Sequence, residues 1–278
     1  DQKMFKVEAI TPVIGAEISG ISLNKDLKSD TVEKIYNALI KYQVIFFREQ
    51  NLTPESHLKL AESLGDIDPG HPVYPHVEGF QSIVLLKNDE KNRPDTNEWH
   101  KDLTFKSNPP FASILLGLNV PKIGGDTLWA SMSAAYDSLT DGWKNDLEGL
   151  EAIHDMGTFR NDFYKEGGIN SVNSALKNVG SAVHKVIETH PVSGKKYLNV
   201  NQAFTRNIVN ISQGASDRIL QFLFQLLAKP EFQVRFHWQN NSVAIWDNLI
   251  TQHYAVNDYL PSVRHMQRIT VINDKRVK

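Results

Sequence analysis

Apolar residues recur along the first third of the chain in two rhythms. From Thr31 to Tyr42, Val32, Ile35, Leu39 and Ile40 share one helical face, which predicts an amphipathic helix. Directly after it, Val44-Ile45-Phe46-Phe47 is apolar without a break, the signature of a short buried strand. Thr53-Pro54-Glu55 then supplies an N-cap and a proline at the first helical position, so a second helix is expected to run to Leu64 and stop at Gly65. Ile83-Val84-Leu85-Leu86 predicts another strand.

From Phe111 onward the pattern changes to short strands separated by turns. Gly124-Gly125 breaks the chain before Thr127-Leu128-Trp129, and two short helices fill Ser133 to Leu150. Residues 157–181 are rich in Gly, Asn and Ser with weak periodicity, which predicts a mobile loop. Ser216 to Ala228 carries Ile219, Leu220, Leu223 and Leu227 on one helical face. Phe232 to Trp238 and Val243 to Trp246 alternate around Gln239-Asn240-Asn241, the pattern of a hairpin, and Gln267 to Ile272 closes the chain as a strand. The expected fold is mainly β with peripheral helices: one jelly-roll or sandwich core in a single domain over 1–278. No internal repeat of solenoid length interrupts it.

Composition narrows the function. The 278 residues hold 30 basic and 32 acidic side chains, a formal net charge of -2, so no global field favours nucleic acid or an anionic membrane. A local basic pocket for a small anion stays compatible with this balance. With no cysteine, disulfides, cysteine-ligated zinc and thiol catalysis are excluded. No apolar run approaches the roughly 20 residues that cross a bilayer, and the first residues show no signal-like apolar region. A cytoplasmic protein, assembled as a dimer or tetramer of like chains, is expected.

The candidate chemistry begins at Trp99-His100-Lys101-Asp102. On an extended chain residues i and i+2 face the same way, so His100 and Asp102 can take adjacent corners of a metal's coordination sphere. One more histidine completes a two-histidine, one-carboxylate facial set with open positions, which suits non-haem Fe(II). The short pattern is weak by itself, and His76-Val77-Glu78 repeats it. The second half of the chain adds weight. His253 follows Trp246-Asp247-Asn248, then come Arg264 and, four residues later, Arg268. Their even separation puts both guanidinium groups on one side of a strand, where each can clamp a carboxylate or sulfonate. His154, His184 and His190 have no ligand partner at useful spacing and read as structural or exposed. Trp129 and Trp246 read as core.

Taken in order, the landmarks resemble the taurine dioxygenase family of Fe(II)/2-oxoglutarate enzymes. They run from Ile14-Gly15-Ala16-Glu17-Ile18-Ser19-Gly20 through His71-Pro72-Val73-Tyr74-Pro75-His76, Trp99 to Phe105 and Gly124 to Trp129. The series continues with His190 to Gly194, Lys229 to Arg235, and Trp246 to Ala255. The resemblance implies a double-stranded β-helix with helices outside. It implies His100, Asp102 and His253 as iron ligands, and Arg264 with Thr127 on the distal carboxylate of 2-oxoglutarate. His71, Arg268 and the Leu103 N–H would grip a sulfonate, Tyr74 would lie near an amine end, and Phe159 and Phe204 would wall the carbon chain. O2 and 2-oxoglutarate would be co-substrates, and a small organosulfonate such as taurine would yield sulfite, an aldehyde, succinate and CO2.

One departure bears on the substrate. Thr96 stands where the family has asparagine, with shorter reach and a single polar atom, which loosens the amine end. The alternative within the class is an alkyl sulfate or longer alkanesulfonate dioxygenase. From another class the alternative is a non-catalytic anion-binding jelly roll, which would need no open iron positions.

Overall fold

A computed structural model describes residues 4–95, 97–156 and 180–277. The first predicted helix is α1 (Ser29–Tyr42), with Ile35, Tyr36, Ala38 and Leu39 buried along one face. The second is α2 (Pro54–Leu64). Thr53 accepts the Ser56 N–H and the Ser56 side chain returns a bond to the Thr53 N–H, a reciprocal cap that satisfies two orphan donors. The helix stops at Gly65 because the backbone there crowds a strand: an added Cβ would lie 1.8 Å from the Asn273 carbonyl oxygen. Two short helices, α3 (Met132–Asp137) and α4 (Asp141–Leu147), start at the capping side chains of Ser131 and Thr140. The last helix, α5 (Gln213–Leu227), begins at the Ser212 cap. Its polar first turn hides that start from the apolar rhythm.

Early strands are β1 (Lys6–Ala9), β2 (Ala16–Ser19), β3 (Val44–Phe47), β4 (Gly65–Ile67), β5 (His76–Val77), β6 (Phe80–Asn88), β7 (Ala112–Asn119) and β8 (Thr127–Ser131). In the middle lie β9 (Glu151–His154), β10 (Ala182–Lys185), β11 (Ile187–Thr189), β12 (Lys196–Leu198) and β13 (Thr205–Ile208). The last four are β14 (Gln233–Phe236), β15 (Val243–Asp247), β16 (Thr251–Ala255) and β17 (Arg264–Asp274). The large sheet runs β1-β2-β3-β15-β7-β17-β6-β5, with β4 paired to β17, and a smaller sheet runs β14-β8-β16. Pairing strands so distant in the chain gives the jelly roll that the sequence predicts.

Alternation sorts the core into layers. Val44, Phe46, Leu115, Ala244, Trp246 and Met266 of the large sheet face Trp129, Val234 and Phe236 of the small one. Their neighbours Ile45, Phe47, Ile114, Leu116, Val243, Ile245, Ile269 and Val271 pack on Ile35, Leu39, Leu60 and Leu64 of α1 and α2. The Val44–Phe47 run is unbroken because both faces of that strand are covered. A third layer joins α3 and α5 to β11 and β12.

Two expectations are corrected. Phe232–Trp238 and Val243–Trp246 do not form a hairpin: β14 pairs with β8, whereas β15 lies between β3 and β7. The turn at 239–241 carries the chain from one sheet to the other. Alternating apolar positions satisfy either arrangement, and here they meet across the sandwich. The closing strand also starts three residues early, at Arg264, because polar Arg264 and His265 disguise an extended segment. Of the expected mobile loop, residues 157–179 lie outside the described residues. Among the described residues, no helix is long and apolar enough to cross a membrane.

Candidate metal centre

His100, Asp102 and His253 converge, each offering one donor atom, with all three donors within 4.8 Å of one another. Asp102 Oδ1 stands 3.4 Å from His100 Nε2 and 3.7 Å from His253 Nε2. Donors shared by one ion stand about 3 Å apart, and these three would hold such an ion between them. The two ligand-bearing segments are stitched by backbone and side chain. His100 N–H donates to the His253 carbonyl at 3.0 Å, and His253 N–H to the His100 carbonyl at 2.8 Å. Asn248 Oδ1 accepts the Asp102 N–H at 3.0 Å, while its Nδ2 donates to the Asp102 and Pro110 carbonyls at 3.1 and 3.0 Å.

The donor set fits a metal. His100 Nδ1 sits 2.9 Å from the Glu98 carbonyl, so that nitrogen carries the proton and Nε2 presents its lone pair. Metal-ligating histidines commonly have such an outer partner. Burial pushes His100 down, but the hydrogen bond and charge of Asp102 outweigh it and leave the imidazole above its ordinary value. Burial alone would raise Asp102. The His253 and His100 imidazoles and the Arg268 charge reverse this and hold the carboxyl well below the usual range. Burial, with repulsion from His100, takes His253 down to about 3.

Lys101 points the other way along the same segment and is fully buried. Its Nζ donates to Asn199 Oδ1 at 2.8 Å and to the Leu249 carbonyl at 2.7 Å, and stands 5.0 Å from the centre of the Tyr197 ring. Burial lowers its pKa to about 7, opposed by Asp247 and Glu188. Asp247 accepts from His190 Nε2 at 2.7 Å and from the Leu249 N–H at 2.9 Å. His190 is thus structural, as the sequence predicts. Asn248 and Lys101 lie inside motifs that the sequence makes visible, yet their roles do not follow from spacing. Partners 98 to 148 residues away define them.

Two of the anion-binding candidates lie on β17 of the large sheet. Arg264, Met266 and Arg268 share the inner face of β17, as their even spacing predicts; Arg268 pairs in register with Leu115 of the inner core. Four residues of strand separate the two arginines by about 13 Å, too far for both to grip one small anionic group. Arg264 lies over the Trp238 ring at 5.9 Å, and Trp238 Nε1 donates to Thr127 Oγ1 at 2.9 Å. One tryptophan therefore links the two candidates for the 2-oxoglutarate carboxylate. Arg268 contributes to the electrostatics of all three triad residues. Its Nε is buried and has no hydrogen-bond partner among the described residues. Beside it, Gln267 faces the opposite layer and donates to His57 Nδ1 at 3.0 Å.

Leu103 follows Asp102 with a φ of 58°. It packs with Phe105, Met156, Ala203 and Phe204 in an apolar cluster, and Phe204 sits edge-on to His100 at 6.4 Å. Trp129 and Trp246 are core residues and also flank His253. His71 and Tyr74 are exposed on the turn before β5 and contact each other at 5.7 Å, not the triad. That turn is nevertheless aligned with the site, since His76 pairs with Val84 and Val84 with Arg268. Thr96 and Phe159 lie outside the described residues.

A jelly roll that gathers two histidines and a carboxylate at the mouth of its sandwich, with arginines on the facing sheet, defines a class of metal-dependent oxygenase. Residues 6–270 match the taurine catabolism dioxygenase TauD, TfdA family, and the chain belongs to that family of Fe(II)- and 2-oxoglutarate-dependent dioxygenases. It is 38% identical to an alkylsulfatase of Acinetobacter baylyi over 277 residues, 98% of this chain and 86% of that protein. An alpha-ketoglutarate-dependent sulfate ester dioxygenase of Pseudomonas putida is 35% identical over 273 residues, covering 96% and 89%. A taurine dioxygenase structure from Burkholderia xenovorans superposes with a TM-score of 0.84 at 33% identity, covering 97% of this chain and 90% of that one.

Proposed function

We propose that this enzyme hydroxylates the carbon that carries the sulfo group of a small organosulfonate. His100, Asp102 and His253 hold Fe(II), while Arg264 and Thr127 receive the distal carboxylate of 2-oxoglutarate. Fe(II) bound there supplies oxidation by O2, in which 2-oxoglutarate goes to succinate and CO2. Arg268, His71 and the Leu103 N–H seat the sulfo group, which fixes the neighbouring carbon against the metal face. Such positioning matters because an error of about 1 Å can cost on the order of a hundredfold in rate. The hydroxylated carbon then releases sulfite and becomes an aldehyde. One observation carries this reading: a half-buried Arg268 beside the triad, whose buried Nε has no hydrogen-bond partner among the described residues, a clamp that awaits an anion. A bare anion binder has no use for the triad.

The apolar cluster of Leu103, Phe105, Met156, Ala203 and Phe204 next to His100 favours a second reading within the class, an alkyl sulfate or a longer alkanesulfonate. Two of the relatives are named for sulfate esters. A panel of taurine, butanesulfonate and hexyl sulfate, each with Fe(II) and 2-oxoglutarate, decides between them. The expected result is sulfite from taurine and from butanesulfonate. Aldehyde and sulfate from hexyl sulfate, with no sulfite from either sulfonate, replaces the first reading by the second. No substrate-dependent succinate from any compound removes both. Assembly as a dimer or tetramer belongs to the same reading, and light scattering on the purified protein tests it.

A further inference from the structure

The Asp102–Lys106 segment is held far more firmly than a surface turn needs. Leu103, at φ 58°, occupies a region that L-residues with a branched side chain rarely enter. Such a conformation persists only where its surroundings over-determine it, and it is a pointer to function. Side chains from several parts of the fold act here. Asn248 grips the Asp102 peptide from both sides. Thr104 Oγ1 lies 2.9 Å from His154 Nδ1 and 3.0 Å from Asn201 Nδ2. The Lys106 N–H closes the turn on the Leu103 carbonyl at 3.0 Å. Finally His184, on β10, places Nε2 at 2.6 Å from the Thr104 carbonyl and 3.0 Å from the Lys106 carbonyl.

Two carbonyl oxygens can only accept, so His184 Nε2 bears the proton and bridges them. The edge-on His154 ring at 4.9 Å keeps the His184 ring in place. Among the described residues these bonds occupy the carbonyls on either side of the turn and leave the Leu103 N–H without an acceptor. Asn248, His154 and Asn201 are deeply buried, and their loss would disturb the core. His184 is only half-buried; the carbonyls it leaves can be met by water, so its loss acts locally.

We propose that His184 is a positioning residue: its Nε2–H, shared between the Thr104 and Lys106 carbonyls, holds the turn in the left-handed form that keeps the Leu103 N–H free to donate to a sulfo oxygen of the substrate. The inference rests on the sulfo-substrate reading given above. Its role is to shape the seat of one substrate while leaving the 2-oxoglutarate anchor untouched, because Arg264 and Thr127 stand on other strands.

Three variants test it. Glutamine places an amide N–H where His184 Nε2 lies, asparagine is too short to reach, and phenylalanine keeps the ring without the donor. Steady-state kinetics with the sulfo compound that the wild type consumes should show its KM raised about tenfold in His184→Phe and His184→Asn, the worth of one hydrogen bond. His184→Gln should stay close to wild type, and the KM for 2-oxoglutarate should be unchanged in all three. Hydrogen exchange of the metal-free proteins should quicken over residues 103–107 in His184→Phe and His184→Asn but not in His184→Gln. His184→Asn carries the test if the phenylalanine variant does not fold. An unchanged KM for the sulfo compound in the asparagine variant overturns the proposal, as does an equal rise in both KM values. If the wild type releases neither sulfite nor sulfate from any sulfo compound, the substrate reading itself has failed and the proposal falls with it.

Discussion

Two parts of the candidate site are built differently. The segments bearing His100, Asp102 and His253 are half-buried to buried, joined by reciprocal backbone bonds, and clamped by Asn248 and Lys101. The turn bearing His71 and Tyr74 is exposed and held by local bonds: Tyr74 N–H to the His71 carbonyl at 3.1 Å and Val73 N–H to His71 Nδ1 at 3.2 Å. Metal geometry must be right before any ligand arrives, so its cost is met by folding. Substrate choice depends on differences between similar anions, and an exposed turn can change there without disturbing the core. A scaffold of this kind can keep one oxidation chemistry while its substrate varies.

The sharpest test of this contrast removes a ligand. His253→Ala should lose turnover and Fe(II) binding while remaining folded, as read by sulfite release, anaerobic metal titration and circular dichroism. Full activity with iron still bound would break the assignment. Next in size is Asn248→Ala, which leaves buried peptide groups of Asp102 and Pro110 unpaired. A loss of about 2–4 kcal/mol in urea unfolding is expected, with iron affinity down by about 10–100-fold, as for other outer partners of metal ligands. A fall in stability with unchanged iron affinity would separate the clamp from the metal site.

Acid should enter through the helical layer behind the large sheet. His57 is fully buried on α2, with Nε2 at 3.2 Å from the Ile114 carbonyl and Nδ1 accepting from Gln267. Burial lowers its pKa to about 4, partly offset by the Ile114 carbonyl. Below about pH 6.5 the unfolded chain takes up this proton, whereas the native protein resists until about pH 4. The contribution of His57 is therefore fully present above pH 6.5 and falls by about 3 kcal/mol as pH drops to 4. The wild-type slope of unfolding free energy over that window should exceed the slope of His57→Gln. Equal slopes would show that His57 is already protonated in the native state.

Smaller effects lie at the anion clamps. Arg264→Lys keeps the charge but loses the two-donor fork, so 2-oxoglutarate should weaken about tenfold and the sulfo compound much less. An unchanged 2-oxoglutarate affinity assigns that carboxylate to another cation. His71→Ala should be mildest, a rise of a few-fold in the KM for the sulfo compound with no change in melting temperature. A fall in melting temperature would show that the exposed turn carries more of the fold than its local bonds suggest.

Much of this was legible in the sequence. The α1 and α2 faces, the Thr53 cap, the Val44–Phe47 strand and the even spacing of Arg264 and Arg268 each follow from a local period or a local cap. The hairpin expected around 239–241 failed because alternation states which residues face inward and not which strand lies beside them. His184 shows a different limit: from spacing it has no ligand partner, and only the fold puts its ring against two carbonyls some eighty residues earlier in the chain.

The sequence alone therefore determined the residue types that can bind iron and anions, their direction along each strand, and the β-rich class of the fold, because helix and strand periods and side-chain chemistry are local properties. Tertiary structure decided which sheet each strand joins, the closure of His100 and Asp102 onto His253, the buried partners of Lys101 and the left-handed turn at Leu103. Those depend on contacts between distant segments, whose hydrogen bonds and packing exist only once the chain has closed on itself.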